Sequence, residues 1–164
     1  MATANKNLSV YDKNNIPNGA DFKIGIVVSE WNDDITFNLL EGAKQALLDN
    51  GVKAENIIEK FVPGAFELPL GCQFLLESDD DLDGIVAIGC VIQGETKHFD
   101  FVCQGATQGI MHLNLEYNTP VSFCLLTDNT KQQSIDRSGG KHGNKGVECA
   151  IACLKMIGLQ EDLS

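Results

Sequence analysis

Four short stretches combine residue types that can do chemistry. His98 closes QGETKH (93–98), which leads into a long helical pattern. The first turn of a helix carries unpaired backbone N–H groups and a partial positive charge, so Gly94, Glu95 and Thr96 outline an anion cradle. A lone histidine is ordinarily structural, but one at a helix start beyond a strand is expected to take or give a proton as a neutral imidazole. DRSGGKHGNKG (136–146) gathers Arg137, Lys141 and Lys145 around four glycines in a chain of formal net charge -11. One bound anion would explain that concentration, and a guanidinium suits bidentate contact with phosphate; the bland alternative is a glycine-capped helix start with solvated lysines. SEWND (29–33) holds Trp31, the single tryptophan, flanked by Glu30 and Asn32, which suits a platform for a flat ring better than a core position. VPGAFELP (62–69) sets Phe66 and Glu67 behind a Pro-Gly turn, by itself equally a structural turn with a surface carboxylate.

The elements that position these residues follow from hydrophobic period. FKIGIVVS (22–29) is a continuous apolar, β-branched run of strand length, as in a strand covered on both faces. DDITFNLLEGAKQALLDNG then puts Ile35, Leu39, Ala43, Ala46 and Leu47 on one helical face, with an Asp at the N-cap end and Gly51 at the stop. The alternation continues with NIIEKFV, ELPLGCQFLLES, GIVAIGCVI, KHFDFVCQGATQGIMHLNLEYN and PVSFCLLT. Two further helices, NTKQQSIDR and NKGVECAIACLKMIG, flank the basic glycine stretch. Strand and helix at this spacing imply right-handed β-α-β units, hence an α/β fold with a parallel sheet covered by helices on both faces. Ligands bind such sheets beyond the carboxyl ends of the strands, where SEWND, VPGAFE, QGETKH and TDNT lie.

At 164 residues and 43% hydrophobic content, the chain is expected to form one domain, residues 21–164, behind a flexible polar arm, 1–20. No apolar run is long enough to span a bilayer, and the first residues lack a signal or transit pattern, so a cytoplasmic protein is expected, with no membrane partner. Acidity argues against nucleic acid. The run SDDDLDG (78–84) lacks calcium-loop spacing and is expected to be a solvated loop. Six cysteines sit in apolar stretches without a C-x-x-C pair and are expected to be buried free thiols; Cys149 and Cys153 share a helical face but have no histidine at ligand spacing, so no metal is assigned. There is no Walker loop, G-x-G-x-x-G, nucleophile elbow or H-E-x-x-H. Residue chemistry alone points to a flat heteroaromatic ligand, a phosphate and a histidine.

SEWNDDIT, VPGAFELP, AIGCVIQGETKHFDFV, PVSFCLLT and RSGGKHGNKGVECA, in order across residues 22–158, resemble the 6,7-dimethyl-8-ribityllumazine synthase family. The resemblance implies a flavodoxin-like three-layer α/β/α sandwich on a four-stranded parallel sheet. It implies an enzyme that needs no cofactor and condenses 5-amino-6-(D-ribitylamino)uracil with 3,4-dihydroxy-2-butanone 4-phosphate. Carried over by position, Trp31 would stack on the uracil where the family commonly has Phe. Ala65, Phe66 and Glu67, with Cys90, Val91 and Ile92, would contact the uracil and its ribityl chain. Glu95 and Thr96 would hold the phosphate end, together with Arg137 and the nearby Lys145. His98 would transfer protons, and Phe123 would close the pocket from a neighbouring subunit. The resemblance also implies a homopentamer, with an icosahedral sixty-mer favoured by the short glycine-rich link, and riboflavin synthase as a candidate partner.

Three positions depart from the common family pattern: Gln93 for Arg, Cys124 for Gly, and Trp31 for Phe. Two other functions compete with this reading. A non-catalytic flavin or lumazine carrier shell would need neither a proton shuttle nor a phosphate clamp. A flavodoxin-like nucleotide module would carry a phosphate-gripping loop after the first strand, where SEWND is bulky and acidic.

Overall fold

A computed structural model describes residues 6–164. Four parallel strands form the central sheet in the order β2-β1-β3-β4, where β1 is Ile24–Ser29, β2 Ile57–Val62, β3 Gly84–Ile92 and β4 Val121–Asp128. Helix α1 (Asp33–Asp49) follows β1, α2 (Leu68–Ser78) follows β2, α3 (His98–Glu116) follows β3, and α4 (Lys131–Arg137) follows β4. The last helix is α5 (Lys145–Asp162). Alternate side chains along a strand point to opposite faces. Ile24, Ile26 and Val28 therefore pack with Val86, Ile88 and Cys124 against α1 and α5, while Val27, Ile85, Ala87 and Leu125 pack against α2 and α3. The expected α/β/α sandwich is the observed one.

The helix boundaries follow local chemistry. The N-cap of α1 is Asn32 rather than an aspartate, with Asp33 and Asp34 in the first turn, where negative charge is favoured. Gly51, at φ 97°, takes the left-handed turn that ends this helix region. Pro69 occupies the first turn of α2, where its missing N–H costs no hydrogen bond.

Two segments differ from the sequence expectation. The acidic run after α2 is anchored rather than wholly solvated: Asp79 pairs with Lys23 at 2.6 Å and Asp83 accepts the Lys23 N–H at 2.7 Å. The basic glycine stretch forms a small antiparallel hairpin, β5 (Ser138–Gly140) with β6 (Gly143–Asn144). Of the expected arm, residues 1–5 lie outside the described residues. Farther along, the Leu8 N–H donates to the His142 carbonyl at 2.7 Å, and the Asn144 N–H donates to Ser9 Oγ at 2.9 Å.

The hairpin explains most of the glycines. Asn144 caps α5 by accepting the Gly146 N–H at 2.8 Å, and its amide donates to the Asn38 carbonyl of α1, also at 2.8 Å. This clamp draws the start of α5 so close to α1 that a Cβ on Gly146 would collide with the Leu39 carbonyl. Gly146→Ala is accordingly expected to cost about 1–3 kcal/mol as an overpacked contact. Gly94→Ala, with no atom within 4 Å of the added carbon, is expected to leave stability unchanged; thermal unfolding of the two variants tests both.

Candidate active site

The strand order changes direction between β1 and β3, so the chain leaves these neighbouring strands toward opposite sides and opens a crevice at their carboxyl ends. The segment leaving β1 is stitched to both neighbours. The Glu30 N–H donates to the Val62 carbonyl at 2.8 Å and the Trp31 N–H to the Pro63 carbonyl at 3.2 Å. Asn32 adopts a left-handed conformation (φ 61°, ψ 48°) and its amide donates to the Cys90 carbonyl on β3 at 2.9 Å. Asparagine tolerates this backbone region better than most residues. These bonds hold the backbone on both sides of Trp31, whose side chain remains 72% exposed at the mouth of the crevice.

The resulting cleft has a volume of about 760 Å³, within the range of small-molecule sites. Trp31 lines one side, and Ala65, Phe66 and Glu67 arrive on the turn after β2. Cys90, Val91 and Ile92 enter at the end of β3, and Thr96 and His98 enter before and at the start of α3. Phe66 is placed by α3: its ring lies where a Cβ on Gly105 would project, so glycine is needed at that crossing. Asn32, Gly64, Phe99, Phe101 and Val102 also line the cleft and were not singled out in the sequence. The left-handed bend at Asn32 has the one local signal, an Asn between a strand and the first turn of a helix; the aromatic and apolar residues of α3 look like ordinary helix-face residues until the helix is placed.

The helix begins at His98, later than the Gly94–Thr96 cradle expected at its start. The cradle is instead the exposed loop that precedes it. Among the described residues, no protein acceptor takes the N–H groups of Gly94, Glu95, Thr96 and Lys97, while the Gln93 N–H is held by the Asp128 carbonyl at 2.9 Å. Thr96 Oγ1 accepts the His98 N–H at 3.4 Å. A row of free backbone donors beside an imidazole can hold an anion and supply a proton-transfer group next to it.

Glu95, Phe123, Arg137 and Lys145 do not line this cleft. Phe123 lies on the edge strand β4, in a shallow groove with Cys103 and Thr127 on the far side of Phe99. Arg137 ends α4, where its Nη1 donates to the Gln133 carbonyl at 2.9 Å and its Nε lies 4.0 Å from Asp128. Lys145 opens α5 with its ammonium 2.9 Å from Glu148. Burial acts to lower the Lys145 pKa, but its hydrogen bond to Glu148 and the negative charge of that carboxylate work the other way, and the value is raised. Among the described residues, no group of three or more His, Cys, Asp or Glu is arranged to hold a metal ion, and no helix is long and apolar enough to cross a membrane.

A parallel α/β sandwich with a cleft across its strand ends, flanked by an exposed aromatic plane, free N–H groups and an imidazole, defines a small-molecule site suited to a planar ligand that carries an anionic group. A family model described as 6,7-dimethyl-8-ribityllumazine synthase matches residues 21–161. The 6,7-dimethyl-8-ribityllumazine synthase of Christiangramia forsetii is 60% identical over 162 residues, covering 99% of this chain and 96% of the relative. That of Flavobacterium johnsoniae is 60% identical over 164 residues, 100% of this chain and 86% of the relative. That of Porphyromonas gingivalis is 52% identical over 160 residues, 98% of this chain and 99% of the relative. The chain belongs to the 6,7-dimethyl-8-ribityllumazine synthase family.

Three thiols, that of Cys90 at the cleft and those of Cys72 and Cys153 in the core, are buried. Burial pushes Cys90 up to about 11, against a smaller lowering by its bond to Ser134, and pushes Cys72 and Cys153 up to about 12. The ordinary value is 9.0. Since the unfolded chain loses these protons first, stability contributed by the thiol form is complete below pH 9 and is lost as pH rises through 11 to 12. Alkylation of the native protein at pH 8, read by mass spectrometry, is expected to leave Cys72, Cys90 and Cys153 unmodified until the chain is denatured.

Proposed function

We propose that this cleft condenses 5-amino-6-(D-ribitylamino)uracil with 3,4-dihydroxy-2-butanone 4-phosphate to 6,7-dimethyl-8-ribityllumazine, the penultimate step of riboflavin biosynthesis. The observation that carries this assignment is the meeting of Trp31, His98 and the unpartnered N–H groups of Gly94–Lys97 at one cleft. The pyrimidine lies along Trp31 and Phe66, and the ends of β2 and β3 take its polar edge and ribityl chain through Glu67 and the Cys90–Ile92 backbone. The phosphate sits on the Glu95–Thr96 loop. The substrate amine attacks the ketone and expels water as the imine forms; elimination then releases phosphate, and attack by the second nitrogen closes the ring with loss of another water. Each step relocates protons, which His98 accepts and returns.

The remaining residues complete the site from a neighbour. Phe123, Arg137 and Lys145 lie outside the cleft of their own chain, and large apolar side chains such as Phe66, Phe74, Phe101, Met111 and Leu115 are exposed on the free chain. Contiguous apolar surface of this kind favours subunit contact. A homopentamer places Phe123 over the uracil and Arg137 and Lys145 at the phosphate of the adjoining subunit. Pentamers close further into an icosahedral shell in the cytoplasm, where riboflavin synthase consumes the product.

Mixed with both substrates, the purified protein is expected to generate lumazine fluorescence and inorganic phosphate in step, well above the spontaneous reaction. Tight lumazine binding without acceleration would instead indicate a carrier. His98→Ala is expected to slow turnover on the order of 10²-fold, the usual contribution of one general acid–base. It should not abolish turnover, since holding two substrates together carries much of the acceleration. Loss of all activity in a folded, assembled variant would contradict that division.

A further inference from the structure

Arg137 sits in a buried polar chain that runs back into the sheet. Asp128, the last residue of β4, presents Oδ1 to Arg137 Nε at 4.0 Å and accepts the Ser134 hydroxyl on Oδ2 at 2.8 Å. Ser134 is fully buried and in turn accepts the Cys90 thiol at 3.4 Å. The Asp128 side chain is 12% exposed and that of Arg137 36%. The inner edge of the guanidinium donates from Nη1 to the Gln133 carbonyl, and its Nε faces the Asp128 carboxylate as an ion pair beyond hydrogen-bond reach. Nη2 has no partner among the described residues.

We propose that Asp128, braced by Ser134, is a positioning residue that orders Arg137 for phosphate, so that the outer edge of the guanidinium is aimed before the butanone phosphate arrives. This rests on the assignment of Arg137 to the phosphate of that substrate. A long side chain loses rotamer freedom when it grips an anion, and ordering it beforehand removes that cost from binding. The carboxylate works against the same interaction electrostatically, because it subtracts positive charge beside the anion. The two effects have opposite signs in a neutral variant. Asp128→Asn keeps the shape of the side chain but weakens its hold on Nε. If charge alone mattered, the variant would bind phosphate more tightly; if order matters, it binds more weakly. Ser134→Ala leaves the carboxylate charged and removes its brace together with the acceptor of the Cys90 thiol, so it tests ordering without a change of charge beside the guanidinium.

Steady-state kinetics on the assembled protein, with inorganic phosphate as a competitive inhibitor, tests this. For Asp128→Asn, the KM of the butanone phosphate and the inhibition constant of phosphate are expected to rise roughly 2- to 5-fold, as for loss of an ion pair in a partly exposed site. The KM of the aminouracil and kcat should stay within about twofold, because the pyrimidine end and the proton transfers are untouched. Ser134→Ala should move the same two constants in the same direction by less, and it decides the matter alone if Asp128→Asn fails to assemble. Unchanged or tighter phosphate constants in either assembled variant would overturn the proposal. Arg137→Gln separates the two layers. If it leaves both phosphate constants unchanged, the assignment of Arg137 is wrong and the positioning role falls with it. If it raises them while the Asp128 and Ser134 variants do not, only the positioning role is wrong. In the Arg137→Gln background, Asp128→Asn is expected to add nothing.

Discussion

A parallel sheet buried on both faces leaves little room for polar chemistry inside it. Every interior position of β1 is apolar or glycine up to Ser29, and β3 is buried from Gly84 to Cys90. The free donors, the charged side chains and the strained backbone are therefore displaced to the strand ends, where the chain turns out of the sheet. Because the strands run in one direction, four such exits lie on the same edge of the molecule. The cleft is a consequence of that arrangement, and its width is set by the divergence of the chain from β1 and β3.

Close backbone approach is the second constraint, and it accounts for glycines that would otherwise suggest flexible loops. Gly146 lets α5 meet α1 at the Leu39 carbonyl, Gly105 admits the Phe66 ring, and Gly109 admits Pro69 where α2 meets α3. In each case the small residue on one element lets a neighbouring element approach closely. The basic stretch that looks like a single phosphate loop in sequence divides its labour accordingly. Its glycines and Asn144 serve the helix junction, Lys145 is engaged by Glu148, and Arg137 alone is held at a strand end by Asp128.

The polar chain from Cys90 through Ser134 and Asp128 to Arg137 links the wall of the cleft with a guanidinium outside it. Its members come from β3, β4 and α4. Such a chain is stiff because each buried polar atom needs its partner, so the end of β4 and the short helix α4 behave as one support.

The amino-acid sequence by itself determined the order and kind of the main elements, because β-branched runs such as IGIVVS and GIVAIGCVI and the 3.6-residue period of α1 are local signals that tertiary packing had no reason to override. It also determined that Trp31, Glu67, Thr96 and His98 would stand near one another, since each lies in the segment that leaves a strand of a parallel sheet and such exits converge. Tertiary structure decided what period and spacing do not encode. The hairpin β5–β6 is short and glycine-rich, with no alternation to mark it, and the anchoring of Lys23 by Asp79 and Asp83 spans more than fifty residues of chain. The brace on Arg137 likewise joins positions whose types are unremarkable alone. Whether a carboxylate faces solvent, a lysine or a guanidinium depends on side-chain geometry between elements, and that is settled only when the helices have been laid on the sheet.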